Sequence, residues 1–258
     1  MSDGQEGFGH RLGTLDVGPA LAGAPHVALS GDDELVLEGV RTLQVLFETE
    51  ASTAEAVLPL ALHPSIPPHL SWIVRHCPDS PAGAFRLAET RIGCRSGTKP
   101  RGYLVGAVID NPVAGDLLAA RWGFRCQTGE VRLDIGFDRM TARVVLDGQV
   151  ILDLSLVDPE VVAGGSVKYV PNLNPARTEL GLQLVQVDAD YAFERIERGR
   201  PRLDSFAPAA WGEPRLRPTL PVSATLTTTT TTLHRLAWAC DPHRPAREGT
   251  VQLQGVER

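Results

Sequence analysis

The sequence predicts a mainly β chain, an antiparallel barrel or curled sandwich that carries a few short helices. Three observations carry this reading. Runs such as Val40–Glu48 and His69–Cys77 alternate with a period of two, which sets one face of a strand against a core. The 20 prolines and 25 glycines divide the chain into short elements. Few stretches show a helical period, and there is no internal repeat or interdomain linker.

Residues 1–33 read as a flexible or surface-wrapping arm, 34–240 as a single β domain, and 241–258 as a polar, Pro- and Arg-rich tail. GDDELVLEG (31–39) predicts a turn into a first strand over Val40–Glu48. Thr53–Ala61 predicts a short helix with Thr53 as N-cap, limited by Pro59. His69–Cys77 is a strand with Ser71, Ile73, Arg75 and Cys77 on one face and Leu70, Trp72, Val74 and His76 on the other. Phe85–Cys94 and Tyr103–Ile109 are strands joined across the turn-forming RSGTKPRG (95–102). Asp116–Arg121 is a helical turn. Glu130–Gly136, Thr141–Leu146 and Gln149–Leu156 form a meander with Asp147-Gly148 as a hairpin turn. A turn or short helix follows at Asp158–Ala163. Strands over Leu180–Val187, Asp188–Ile196 and Val222–His234 complete the set. The threonine run Thr227–Thr232 reads as β-branched strand rather than low complexity.

Composition narrows the function. Hydrophobic content of 43% and charged content of 22% fit a soluble globule with a substantial core. A net charge of −6 without a basic run argues against nucleic acid as partner. No apolar run reaches the length of a membrane span. The N-terminal MSDGQEGFGHRLGTLD lacks the basic start and apolar centre of a signal peptide, so a cytoplasmic location is expected. Cys77, Cys94, Cys126 and Cys240 are scattered without a CxxC pair, and His63, His69 and His76 lack ligand spacing, so no metal is expected. Gly164-Gly165-Ser166 is not a phosphate loop, and no GxSxG elbow is present. No cofactor is expected. Lys99 and Lys168 are the only lysines, which restricts amine chemistry to two side chains and the N-terminus.

The stretch Gly102–Gly136 contains Trp122-Gly123-Phe124-Arg125-Cys126-Gln127 after a strand and a short helical segment. It resembles the acetoacetate decarboxylase family, in which a W-G-F-P-K-type motif holds the lysine that forms a Schiff base with substrate. Pro-Asp-Ser at 78–80 and Val-Lys-Tyr-Val-Pro-Asn at 167–172 fall in the family's order, and the resemblance covers roughly 37–239. It implies a cone-shaped β-barrel with an interior pocket, in a homo-oligomer. It also implies a loss of chemistry. Cys126 stands at the Schiff-base lysine and Gln127 at a second lysine. Ile73 and Leu87 stand where the family has glutamates, although a two-residue deletion places Glu89 at the second of these. Val40, beside Arg41, stands at an arginine. Lys168 matches a lysine outside the family's catalytic motif.

What remains is an expected apolar cavity holding Ile73, Leu87 and Phe124, with Glu89, Arg75, Cys126 and Gln127 as polar groups and Arg41 and Trp122 nearby. Leu87, Glu89 and Arg91 share a strand face, so Glu89 points inward with Leu87. A buried glutamate serves as acid or base, an arginine orients a carboxylate or enolate, and a buried cysteine is a nucleophile, an acid or inert. An inward Glu–Arg pair is equally a structural ion pair. The first reading is an enzyme without imine chemistry that cyclises, dehydrates or isomerises a small apolar carbonyl compound in secondary metabolism, with Glu89, Arg75 and Cys126 catalytic. The alternatives are a non-catalytic small-molecule-binding accessory protein, and a β-keto acid decarboxylase using Lys168.

Overall fold

A computed structural model describes residues 11–31, 34–165 and 167–253. Strand β1 (Leu35–Thr49) is followed by β2 (His63–Pro64), β3 (His69–Cys77), β4 (Phe85–Ser96) and β5 (Lys99–Ile109). Next come β6 (Cys126–Thr128), β7 (Glu130–Ile135), β8 (Arg139–Leu146) and β9 (Gln149–Val161). The last group is β10 (Asn172–Thr178), β11 (Gly181–Val187), β12 (Ala189–Phe206), β13 (Pro218–Leu233), β14 (Trp238–Cys240) and β15 (Thr250–Gln252). Helices are short: α1 (Val17–Ala20), α2 (Ala51–Val57), α3 (Pro112–Trp122) and α4 (Ala246–Gly249).

The strands form one curled sheet in the order β15-β14-β11-β10-β5-β4-β3-β1-β13-β12-β9-β8-β7, with β2 and β6 branching from β4 and β5. Nearly all pairing is antiparallel; β10 and β6 run parallel to β5. The mainly β expectation holds. The central strands are buried on both faces. Leu70, Trp72 and Val74 of β3 join Leu152, Leu154, Leu156 and Met140 in one core layer. The opposite faces supply a second layer of Leu37, Val40, Cys77, Phe85 and Leu87, closed by Leu118, Trp122 and Phe124. The threonine run is β13: Thr227, Thr229 and Thr231 point inward, with Thr229 and Thr231 hydroxyls 2.9 Å apart. Among the described residues no helix is long and apolar enough to cross a membrane.

Several boundaries differ from expectation for local reasons. β1 begins at Leu35, inside the expected turn, and absorbs Gly39 at φ 61° as a register shift against β13. α2 starts at Ala51, with Glu50 rather than Thr53 at its N-cap position. It ends at Val57 because Leu58 precedes a proline and is extended (ψ 140°). The expected turn at 158–163 is instead the end of β9. Asp158 takes φ 52°, and a bulge opposite Gly199 keeps the strand paired to β12 past Pro159. β12 runs on to Phe206; its charged Glu197–Asp204 segment hides its strand character, but β9 pairs along it. Of the N-terminal segment, residues 11–31 lie against the body: Asp16 caps α1, Val17, Leu21 and Ala24 are buried, and His26 bridges Arg177. In the C-terminal segment, β15 pairs with β14.

Candidate functional site

The inner face of β4 carries Leu87, Glu89 and Arg91, and the neighbouring face of β3 carries Arg75 and Cys77. In register, Arg75 lies opposite Leu87 and Ile73 opposite Glu89. These strands border a cavity of about 30 Å³. Its walls are mostly apolar: Leu37, Val40, Phe85, Leu87, Leu118 and Phe124 face Val187 and Leu233. Arg75, Arg91, Asn172, Tyr191 and Thr231 give it polar lining.

Glu89 is fully buried and sits behind that lining, at the centre of a charged cluster. Arg91 donates from Nε and Nη2 to Glu89 Oε2, at 2.9 and 2.5 Å. Arg75 Nη1 donates to Glu89 Oε1. Asn172 Nδ2 completes the set at 2.9 Å from Oε2. Two guanidinium groups thus share one carboxylate, which leaves a surplus of one buried positive charge. Burial pushes Arg91 down from 12.5 to about 10. Burial, and then repulsion from Arg91, lowers Arg75. Both line the cavity, so their charge is offered to whatever enters. Gly102 makes room for this, since a Cβ there would lie 3.1 Å from Arg91 Cδ.

Below the cluster, the Tyr169 hydroxyl lies 2.8 Å from Thr227 Oγ1, and Tyr169 packs against Tyr191 with ring centroids 4.8 Å apart. Burial pushes the Tyr169 phenol up to about 12. Cys77, the thiol lining the cavity, is raised to about 12 by burial and is therefore a poor nucleophile.

Phe124 reaches the cavity through a helix C-cap. Pro112 at the first turn and the Asn111 side chain, accepting from Val113 and Ala114 amides, start α3. Gly123 ends it in the left-handed region at φ 70°, its amide donating to the Ala119 carbonyl at 3.0 Å and the Phe124 amide to the Leu118 carbonyl at 3.3 Å. Asn174 Nδ2 holds the Trp122 carbonyl at 2.8 Å, and Trp122 Nε1 donates to the His234 carbonyl at 2.7 Å.

No family model and no curated protein sequence matches the chain. Solved structures do. The acetoacetate decarboxylase of Legionella pneumophila subsp. pneumophila str. Philadelphia 1 superposes with a TM-score of 0.70 at 17% identity, over 79% of this chain and 86% of that one. The chain has the acetoacetate decarboxylase fold. An acetoacetate decarboxylase-like enzyme from Sphingomonas wittichii RW1 matches at TM-score 0.64 and 14% identity, over 87% of this chain and 95% of that chain. The enduracididine biosynthesis enzyme MppR, solved with pyruvate, matches at TM-score 0.65 and 17% identity, over 80% of this chain and 91% of that chain. MppR has also been solved with the condensation product of pyruvate and imidazole 4-carboxaldehyde.

Within this fold the candidate residues separate into two groups. Arg75, Leu87 and Phe124 line the cavity, and Glu89 anchors its arginines. The other five are elsewhere. Cys126 is half-buried in β6 beside Ala107, its thiol pushed up to about 12 by burial, and is not part of the lining. Gln127 is exposed and donates to the Ala210 carbonyl at 3.0 Å. Arg41 faces outward, with its Nη2 2.8 Å from His76 Nδ1. Ile73 is buried opposite Glu89 on the neighbouring strand, and Trp122, the last residue of α3, is a core residue. Cys126 and Gln127 follow the backbone into β6, whose parallel pairing with β5 draws them away from the lining.

Arg91, Asn172 and Tyr191 belong to the cavity and were not expected there. The spacing of Arg91, two residues from Glu89 on one strand face, carried the signal for it. Asn172 lay in the Val-Pro-Asn segment, and Tyr191 had no local signal. Lys168 is exposed and does not line the cavity. Among the described residues, no group of three or more His, Cys, Asp or Glu side chains is placed to hold a metal ion.

Proposed function

We propose that the chain is an enzyme that binds a small oxo acid with an apolar chain and promotes proton transfer next to its carbonyl, without forming an imine; at about 30 Å³ the cavity widens by movement of its apolar side chains to admit such a ligand. The observation that carries this is the pair of cavity-lining guanidinium groups sharing a single buried carboxylate. An incoming carboxylate or enolate supplies the charge that the cluster lacks, and Arg is suited to hold it by two parallel hydrogen bonds. As negative charge develops on the carbonyl oxygen, the same cations lower the barrier, because they are already fixed by Glu89 and Asn172 and need no reorganisation. Glu89 in this reading is the counter-ion that positions the arginines. Tyr191 is the group that exchanges the proton: as phenolate, its own proton having passed to solvent, it takes the proton next to the carbonyl and returns it as phenol. Among the described residues lining the cavity the ionisable groups are Arg75, Arg91, Cys77 and Tyr191, and the thiol is held protonated by burial. The pyruvate complex of MppR supports an oxo acid as the ligand class. Cyclisation, dehydration and isomerisation all begin with such a step.

A non-catalytic binding role is the second reading, favoured by the lack of a carboxylate or imidazole among the described lining residues. Incubation with pyruvate in D₂O, followed by proton NMR, separates the two. The enzyme reading expects the methyl protons to exchange faster with protein than with buffer. It also expects Arg91→Met to cut exchange by about 10- to 100-fold, the worth of a charged hydrogen bond. Binding without exchange sinks the enzyme reading; neither binding nor exchange sinks the oxo acid site itself. Borohydride with pyruvate should trap no adduct, and Lys168→Gln should exchange at the wild-type rate. A trapped Lys168 adduct would overturn the imine-free mechanism.

A further inference from the structure

A second, larger concavity lies outside the charged cavity. It is an open groove of about 610 Å³ between the β4–β5 hairpin, β11, β14 and α4. Arg95, Lys99, Arg101 and Arg247 line it, with Trp238 and the Ser96–Thr98 turn. No Asp or Glu occurs among the described residues that line it. In a chain of net charge −6, this concentration of cations runs against the general field, so the groove collects anions that the rest of the surface repels.

The cations come from separate elements of the fold. Lys99 is exposed on the hairpin, and Arg247 is exposed on α4. Arg101 is anchored: its Nε donates to Gln186 Oε1 at 2.9 Å and its Nη1 to the Pro100 carbonyl at 2.8 Å. The Arg95 Nε makes a longer bond, 3.4 Å, to the Pro64 carbonyl. Trp238 is half-buried in the lining and offers a flat apolar surface beside these charges. The volume is that of a small-molecule site. Gln186 adjoins Val187 on β11, so groove and cavity lie on opposite faces of that strand.

We propose that this groove binds a phosphorylated small molecule carrying a flat ring, of the nucleoside phosphate class. Phosphate oxygens take the charged hydrogen bonds of Lys99, Arg101 and Arg247, and the ring lies against Trp238. The site is distinct from the oxo acid cavity and does not depend on that reading.

Titration with ATP, pyrophosphate and adenosine, followed by tryptophan emission and by calorimetry, tests it. Trp72, Trp122 and Trp211 are fully buried, so a ligand-dependent change in emission reports Trp238. ATP should quench emission and bind at least about tenfold more tightly than pyrophosphate or adenosine, with an affinity that falls as salt rises. The Lys99→Glu/Arg247→Glu double variant changes two exposed side chains. It should keep the wild-type circular dichroism and weaken ATP by at least about tenfold. Absence of ATP binding at millimolar concentration overturns the proposal, as does unchanged ATP binding by the double variant. Pyrophosphate binding as tightly as ATP overturns the role of the ring.

Discussion

Glu89→Gln is the substitution that tests the charged cluster most directly. It keeps the size of the side chain and removes the carboxylate that pairs with both Arg75 and Arg91. Both guanidinium groups are nearly inaccessible to water, at 11% and 3% side-chain exposure, so solvent cannot replace the lost charge. Breaking a buried ion pair by removing one partner costs about 3–5 kcal/mol, and here one partner serves two. With a urea slope of about 3 kcal/mol/M, the unfolding midpoint should fall by about 1–2 M. The variant should also respond to ligand differently from the wild type. A bound oxo acid anion restores negative charge to the cluster, so saturating pyruvate should raise the variant's midpoint more than that of the wild type. The reasoning is refuted if the midpoint moves by less than about 0.3 M, roughly 1 kcal/mol at that slope, or if pyruvate stabilises both proteins equally.

Other perturbations address the same frame from different sides. The triple variant Arg75→Met/Glu89→Met/Arg91→Met replaces the whole cluster by apolar volume; it should unfold no earlier than wild type in urea yet bind no pyruvate by calorimetry. Gly123→Ala forces a left-handed backbone on a residue with a Cβ and brings that Cβ within 3.2 Å of Ala176 Cβ. It should cost about 2 kcal/mol and lower Tm by about 4–8 °C in a thermal scan, with Phe124 displaced and pyruvate affinity reduced. Burial raises Cys77 and Cys94 from 9.0 to about 12, so the folded chain keeps protons that the unfolded chain loses. The stability they contribute is full below pH 9 and is lost as pH rises towards 12, by up to about 1.4 kcal/mol per thiol per pH unit. Urea titrations across that range should show the fall, and Ellman's reagent at pH 8 should leave both thiols unmodified until denaturant is added.

Much of the fold was legible because its signals are local. The alternation in His69–Cys77 gives β3 with the observed bounds, and the β-branched threonines give β13. The miss at β12 has a physical cause: Glu197–Asp204 alternates exposed with buried or half-buried positions but fills both with charged, Gly and Pro residues apart from Leu203, so no apolar period marks it, and its strand form comes from pairing with β9 and β13. The site divides along the same line. Glu89 and Arg75 sit on strands whose inward faces follow from parity, and parity also pointed to Arg91. The positions of Cys126 and Gln127 depend on where the chain goes after the Gly123 cap, which is a tertiary matter. Tyr191 reaches the cavity only because the curled sheet brings β12 opposite β4, which no window of sequence contains.

A buried cluster of three charges is weak evidence for stability, since an apolar core of the same volume is usually as stable. This one is also unbalanced; burial lowers both arginines, and repulsion from Arg91 lowers Arg75 further, a cost that folding carries. A purely structural ion pair would match one cation to one anion and bury both behind the lining. Here the anion is behind, both cations are in front, and the wall around them is apolar. The resemblance to a family that works through a lysine amine leads to the same place by subtraction. With Cys126 half-buried outside the lining and Lys168 exposed, the positive charge that the described lining offers an acidic substrate is that of Arg75 and Arg91. A guanidinium does not add to a carbonyl as an amine does, but it holds a carboxylate or an enolate. In the function proposed above, catalysis therefore rests on electrostatic stabilisation of an anion rather than on covalent capture of a ketone.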